Sequence, residues 1–201
     1  MKKILAIGGA VIKTARNELF EVIKNSQVEM LIHNGGSIFH DFQLATENIE
    51  GHSYKIDNLV ESYQPNEKAS YLLWDWFRGT KAPEGSVTRL CEKMEIPVMM
   101  FTGLGCDFWQ LFNYEWEIFS GKVANYFISL CDRFKTEFHY VCMGSAVIHP
   151  EVFLKAIAVS KAKNFRSDVV DFLDMYRPRT RVAKFGTYYQ MTHLEYLKGL
   201  L

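Results

Sequence analysis

The residues best placed to do chemistry in this chain gather around short glycine-rich turns. His33 and His40 bracket Asn34-Gly35-Gly36-Ser37, and Asp41 follows directly. Imidazole titrates near neutral pH, so a histidine beside a carboxylate is common material for acid–base catalysis. His40-Asp41 is one such candidate pair, although adjacent residues on a helix point in different directions. His33 reads as a satisfied strand-end histidine. Asp107 closes a second turn, Gly103-Leu104-Gly105-Cys106-Asp107, and His149 follows a third, Gly144-Ser145-Ala146. An aspartate there could orient a ribose hydroxyl or a substrate amine, or cap the next helix. His149 could face a ligand, cap a helix or meet solvent. The catalytic candidates are thus His40, Asp107 and His149. Arg177 and Arg179 flank Pro178 and could clamp a phosphate or carboxylate bidentately; an ion pair with Asp174 competes. His139, inside an apolar run, reads as a hydrogen-bonded core histidine. No spacing of His, Cys, Asp or Glu supplies the convergent ligands of a metal site.

These turns need strands and helices to hold them. The stretch from Glu137 to Ile157 shows the arrangement best: an apolar run (Phe138–Met143), a small-residue turn, then Pro150 and Glu151 opening an amphipathic helix. Proline and an early acid both suit a first helical turn. The same order recurs elsewhere. Lys3–Ile7 runs into Gly8-Gly9 and a helix over Thr14–Lys24. Val28–His33 runs into the Asn34 turn and a helix over Ile38–Thr46. Ile96–Thr102 runs into the Gly103 turn. Strands alternating with helices predict an α/β fold, a parallel sheet with helices on both faces. In such sheets the turns after the strands lie along one edge, where backbone N–H groups and helix N-termini converge on ligands. Each glycine taken alone is explained by a tight turn; four such turns together argue for a shared crevice. None matches GxGxxG or a P-loop.

Between these units, helices are expected over Lys55–Tyr63, Asn66–Phe77 and Ser86–Met94, with Gly79–Gly85 as a connecting loop. Trp109–Phe134 reads as mostly helical with a break near Gly121. Ser167–Leu173 reads as a strand, and Tyr176-Arg177-Pro178-Arg179 as extended or turning, because the residue before proline avoids the helical region. Thr192 caps a last helix carrying Leu194, Leu197 and Leu200.

Composition narrows the partners. With 201 residues, 48% of them hydrophobic, the chain suits one domain spanning 1–201. Lysine plus arginine equals aspartate plus glutamate at 23 each, which provides no field to steer nucleic acid or an anionic membrane. No apolar run approaches the roughly 20 residues of a membrane span. The apolar run after Lys2-Lys3 is short and reads as a buried first strand rather than a signal sequence. Four cysteines (Cys91, Cys106, Cys131, Cys142) without a CxxC pair fit a reduced, cytoplasmic protein.

Four segments, in order, carry a resemblance: IHNGGSIFHDFQLA (Ile32–Ala45), IPVMMFTGLGCD (Ile96–Asp107), GSAVIHPEVFLKA (Gly144–Ala156) and DMYRPRTRV (Asp174–Val182). Together they resemble deoxyhypusine-synthase-like proteins, in particular a bacterial branch with GSAVI-PEVFLKA and YRPR motifs. The resemblance implies a Rossmann-like NAD/FAD-binding type of sheet, and a homo-oligomer, dimer or tetramer, with sites near subunit interfaces. It implies NAD beside Asn34, Gly35, Gly36, Ser37, Gly103, Gly105, Gly144, Ser145 and Ala146, and a small amine or polyamine as substrate. Arg177 and Arg179 fall in the region of the family's imine-forming lysine. That lysine sits in a Trp-Gly-Lys context, which this chain lacks, and arginine keeps its proton and cannot form the imine. FWQLFNYEWEIFSGK also stands where bacterial relatives carry a His- and Gly-rich stretch. The reading is therefore an NAD-dependent enzyme on a small amine that is not a true deoxyhypusine synthase. The alternative is a non-catalytic nucleotide-binding or assembly protein that keeps the fold without the lysine. A third is that nothing binds and the turns serve the fold alone.

Overall fold

Ile4, Leu5, Ala6 and Ile7 are all completely buried, as expected of a strand covered on both faces. They form β1 (Lys3–Ile7), one of six strands in a single parallel sheet. The computed structural model describes residues 1–47, 67–101 and 116–201. Along these, β1 is followed by α1 (Gly9–Asn25), β2 (Val28–Asn34), α2 (Gly35–Glu47), α3 (Glu67–Arg78), α4 (Val87–Lys93) and β3 (Val98–Phe101). Then come α5 (Trp116–Arg133), β4 (Phe138–Met143), α6 (Ile148–Ser160), β5 (Phe165–Asp171) and α7 (Tyr176–Thr180). A 3-10 turn (Ala183–Phe185), β6 (Gly186–Gln190) and α8 (His193–Lys198) complete the chain. The strand order is β3-β2-β1-β4-β5-β6, and every neighbouring pair is parallel. The α/β, Rossmann-like expectation holds.

The period-2 alternation of the strands divides the core. Leu5, Ile7, Val141, Met143 and Val170 point to one face, where Val11, Leu19 and Val22 of α1 and Leu197 of α8 cover them. Ile4, Ala6, Phe138, Tyr140 and Cys142 point to the other, beneath Leu130 and Phe134 at the end of α5 and Phe153 of α6. A third cluster joins α2 to α3 through Phe42, Leu73, Trp74 and Phe77.

Several elements differ from the sequence reading. α1 begins at Gly9, well before Thr14, and bends at Ala15 (φ −144°). α2 starts at Gly35, so the Asn34-Gly35-Gly36-Ser37 segment is a helix start rather than a loop. α5 runs through Gly121 without a break. Tyr176-Arg177-Pro178-Arg179 is not extended: it is the short helix α7, with proline at its third residue, where a missing N–H still costs nothing. β6 was not expected; as an edge strand it is half exposed and lacks an apolar run. The expected helix over Lys55–Tyr63 and the Gly103–Asp107 turn, with Gly103, Gly105, Cys106 and Asp107, lie outside the described residues.

Candidate functional site at the carboxyl edge of the sheet

The order 3-2-1-4-5-6 reverses direction between β1 and β4, and ligands of open α/β sheets bind outside the carboxyl ends at such a switch point. The turns after β2, β1 and β4 therefore lie side by side. Ile7 is paired with Met143 across the last rung, and Gly8 N–H donates to Met143 O at 2.8 Å. The two turns touch so closely that a Cβ on Gly8 would lie 1.8 Å from Gly144 O. Gly144 itself has φ +64°, which favours glycine.

The helix that starts at this point, α1, has Gly8 as its N-cap, with no side-chain cap and no acid in its first turn. Its leading N–H groups carry the positive end of the dipole of the short first segment, before the bend at Ala15. The neighbouring α2 is different: Asn34 Oδ1 accepts from Ser37 N at 2.8 Å. Dinucleotide folds often set an acid near the tip of β2 for the ribose; here Asn34 is spent on its own helix. At α6, Ser145 Oγ accepts from His149 N at 3.3 Å.

The structure places the candidate residues at different depths. Asn34, Gly36, Gly144 and Ala146 are partly exposed along the edge, whereas Gly35, Ser37 and Ser145 are buried. Ser37 Oγ donates to Asn34 O and lies 2.9 Å from His33 Nδ1. His33 Nε2 lies 3.3 Å from Thr88 Oγ1. His33 is fully buried, and burial, with His149 nearby, pushes its pKa down to about 3. His149 is also fully buried; its Nε2–H donates to Ile7 O at 2.9 Å, and burial lowers its pKa to about 4. Its Nδ1 has no hydrogen-bond partner among the described residues. His149 is thus a neutral imidazole under the Gly144 turn, tying β4's exit to the end of β1. His40 is buried where α2 meets the start of α1, with Nδ1 3.2 Å from Gln43 Oε1; a Cβ on Gly9 would lie 3.0 Å from its ring. His139 is paired as the sequence suggested, its Nε2 2.9 Å from Asp168 Oδ2.

His40 and Asp41 do not form a dyad. Asp41 points to α4, where its carboxylate accepts from Val87 N (2.7 Å), Thr88 N (2.9 Å) and Thr88 Oγ1 (2.8 Å). Together with the Ser86 cap it satisfies the first N–H groups of that helix. Burial nonetheless pushes the Asp41 pKa up, against those bonds and the Arg16 charge. Asp41→Asn replaces one acceptor by a donor facing buried N–H groups, an expected loss of about 2–3 kcal/mol. For a chain of this size the melting midpoint falls by roughly 5–10 °C. An unchanged midpoint by circular dichroism would mean the carboxylate does not hold α4.

Arg177 and Arg179 sit half exposed on α7. Arg179 Nη1 reaches Asp174 Oδ2 at 2.9 Å, and Arg177 Nη1 lies 3.9 Å from Glu151 Oε1. Arg181 Nε pairs with the same Glu151 oxygen at 2.9 Å. Of the cysteines, Cys91, Cys131 and Cys142 are free buried thiols, and burial raises the pKa of each. No group of three potential metal ligands occurs among the described residues. No described helix is long and apolar enough to cross a membrane.

One residue at this edge escaped the sequence reading. His193 starts α8, is only 2% exposed, and its Nε2 has no hydrogen-bond partner among the described residues. A Cβ on Gly144 would lie 3.3 Å from that nitrogen. The signal available was the capping box Thr192-x-x-Glu195, which fixes His193 as the first helical residue.

No protein-family model matches the chain, and no curated protein does. Solved structures share its fold. The chain is similar to the ternary complex of AgrE with ornithine and NAD+ at 12% identity and a TM-score of 0.63, over 100% of its own length and 29% of that chain. It is similar to a conserved putative LOR/SDH protein from Methanococcus maripaludis S2 at 10% identity and a TM-score of 0.64, over 99% of its length and 59% of that chain. A putative deoxyhypusine synthase from Entamoeba histolytica matches at 10% identity and a TM-score of 0.55, covering 99% of this chain and 73% of that one. The chain spans under two thirds of the first two. At these identities the likeness is one of fold.

Proposed function

We propose that the chain is an NAD-dependent enzyme of the deoxyhypusine-synthase-like group, acting on a small amine or polyamine. The observation that carries the reading is the uncapped N-terminus of α1 at the β1/β4 switch point, on a sheet of the order that binds dinucleotides. Its leading N–H groups, at Gly9 and Ala10, would hold the pyrophosphate. Asn34, Gly35 and Gly36 would lie toward one nucleotide half, with Gly103 and Gly105 after β3 on the same side, and Gly144, Ser145 and Ala146 toward the other. Ser37 would act by fixing Asn34, to which it is bonded. NAD bound there would supply a hydride acceptor for a carbon next to nitrogen. Asp107 and His40 are proposed for proton handling, and His149 for holding the Gly144 turn. Arg177 and Arg179 would meet an anionic group of substrate only on releasing Glu151 and Asp174. A single domain assembled as a cytoplasmic homo-oligomer belongs to the same reading.

The likeness to AgrE, solved with ornithine and NAD+, supports the cofactor and the amino-compound class. The second reading, a non-catalytic nucleotide-binding or assembly protein, is favoured by one observation: α7 offers arginines in the region of the family's lysine. Thermal unfolding with and without NAD, NADH and FAD separates these outcomes. Ligand at about 100 times its dissociation constant stabilises by about 2.7 kcal/mol. A rise of the midpoint by several degrees with NAD or NADH supports a nicotinamide site; no rise with any dinucleotide removes both nucleotide readings.

A further inference from the structure

The amino edge of the sheet, at the far end from the switch point, carries a second cavity. Lys3, His139 and Arg166 are register partners near the starts of β1, β4 and β5, so their side chains stand in one row on one face. It is the face of Leu5 and Val141, which α1 and α8 cover further along the strands. At the row itself an open cavity of about 500 Å³ remains. That lies within the roughly 300–1,000 Å³ of small-molecule sites. Tyr196 and Leu200 wall it on the α8 side, and Tyr189 and Met191 on the β6 side.

Asp168, two residues along β5 from Arg166, fixes the row. It is nearly buried, and four donors converge on its carboxylate: Arg166 Nε (3.2 Å), Arg166 Nη2 (3.1 Å), His139 Nε2 (2.9 Å) and Tyr196 Oη (2.7 Å). Burial works against the charge, but the bonds from His139, Tyr196 and Arg166 hold the carboxyl below its usual range. A carboxylate accepts at about four positions, so Asp168 is occupied and acts on the cavity by placing its neighbours. The end of α8 is occupied too. Leu197 O accepts from Leu200 N, and Leu200 O from Ser26 Oγ.

The groups left over are mainly donors. Lys3 Nζ spends one of three N–H bonds, on Ser26 O at 3.1 Å. Arg166 Nη1 has no partner among the described residues. Tyr189 Oη accepts from Arg166 Nη2 at 3.3 Å and keeps its own proton to give. Since a carboxylate only accepts, His139 presents its N–H to Asp168 and its Nδ1 is the one lone pair in the row. Neighbouring strands lie about 4.8 Å apart, which sets the Lys3 and Arg166 backbones about 10 Å apart with His139 between them. Both long side chains can lean over that gap onto one anion. Lys3 and Arg166 bring two positive charges and Asp168 returns one negative, which leaves one to be met. Glu195 lines the other end of the cavity, exposed to solvent and engaged in the Thr192 capping box, where water screens it.

We propose that this cavity is a second ligand site, for a small organic carboxylate with an aromatic or apolar body. Its carboxylate lies over His139 between Lys3 Nζ and Arg166 Nη1, and its body lies against Tyr189, Met191, Tyr196 and Leu200. A carboxylate carries the single charge the row leaves unmet, whereas a phosphate ester carries nearly two. The Tyr189 and Tyr196 rings, tilted at 5.2 Å between centroids, give a flat body its wall. The site is separate from the carboxyl edge, and nothing in it rests on the dinucleotide reading.

The test is an amide ¹H–¹⁵N titration of the protein with phenylacetate at millimolar concentrations, beside phenylacetamide, acetate and phenyl phosphate. Phenylacetate should give saturable shifts at Lys3, His139, Tyr189 and Leu200 and none at Gly9, Ala10 or Gly144. Phenylacetamide, the same body without the charge, should bind about tenfold more weakly, and so should phenylacetate to Lys3→Gln. Saturating NAD should leave the phenylacetate shifts unchanged. Equal binding of phenylacetamide would show an apolar groove without an anion site, and equal binding of acetate would show an adventitious ion only. Tighter binding of phenyl phosphate, or shifts at the carboxyl edge instead, would overturn the assignment as well. The ligand comparisons on the wild-type protein decide even where Lys3→Gln fails to fold.

Discussion

Gly8→Ala is expected to unfold the protein or leave it insoluble. The added Cβ would lie 1.8 Å from Gly144 O and 2.5 Å from its carbonyl carbon, and both are backbone atoms. No side chain can rotate away, so relief requires separating β1 from β4 at the centre of the sheet. Overpacking that side chains can absorb costs about 1–3 kcal/mol; a backbone clash of this depth exceeds that, at about 4 kcal/mol or more. Whole domains are stable by only about 5–15 kcal/mol. Gly121→Ala is the matched control. A Cβ there meets nothing within 4 Å inside α5, so the variant should gain about 0.5–1 kcal/mol. Soluble yield and the urea midpoint of both variants check the pair. A Gly8→Ala protein melting within a few degrees of wild type would mean that the two strand ends are not in contact.

Acid is expected to destabilise the fold well above the carboxylate range. His33 and His149 are buried neutral, with pKa values lowered from about 6.5 to about 3 and about 4. Below pH 6.5 the unfolded chain protonates both imidazoles while the folded chain does not. Unfolding then takes up protons, so stability falls as pH falls. The contribution is complete above pH 6.5 and is lost progressively down to the folded values. Near pH 5.5 the two together give a slope of about 2.5 kcal/mol per pH unit. His193, also lowered, adds to it. Asp41 and Asp171 are raised by burial and work in the opposite sense, so comparison with His149→Gln over pH 5 to 6.5 isolates the histidine contribution. Urea unfolding at several pH values measures the slope, and His149→Gln should flatten it by about one proton. A slope below that of a single proton would show that water reaches these rings in the folded state.

The parts of the fold legible in the sequence are those where burial on both faces writes a continuous apolar run. Lys3–Ile7 and Phe138–Met143 are bounded as expected because no solvent-facing residue interrupts them. β6 was hidden because an edge strand needs no such run; its Gly186 is set by tertiary contact, where a Cβ would lie 1.6 Å from Ser167 O. The start of α2 was misplaced because two glycines read as a loop, while Asn34 in fact caps a helix that begins at Gly35. The grouping of the turns at Gly8, Gly35 and Gly144 followed from alternating strands and helices. Their roles did not, since depth decides them. His149 and Ser37 sit beneath the edge, and Asp41 turns to α4, facts that depend on strand register and helix packing. His193 joins the edge only because the unforeseen β6 runs parallel and delivers α8 there.

In the proposed complex a dinucleotide lies across the carboxyl edge with its pyrophosphate on the start of α1. The most direct measurement is an amide ¹H–¹⁵N map of the protein titrated with NAD. The predicted result is saturable shifts at Gly9, Ala10 and the Gly144–Ala146 turn, with Lys3, Arg166 and Leu200 at the opposite edge unchanged. Shifts confined to that opposite edge, or none at saturating NAD, would contradict it.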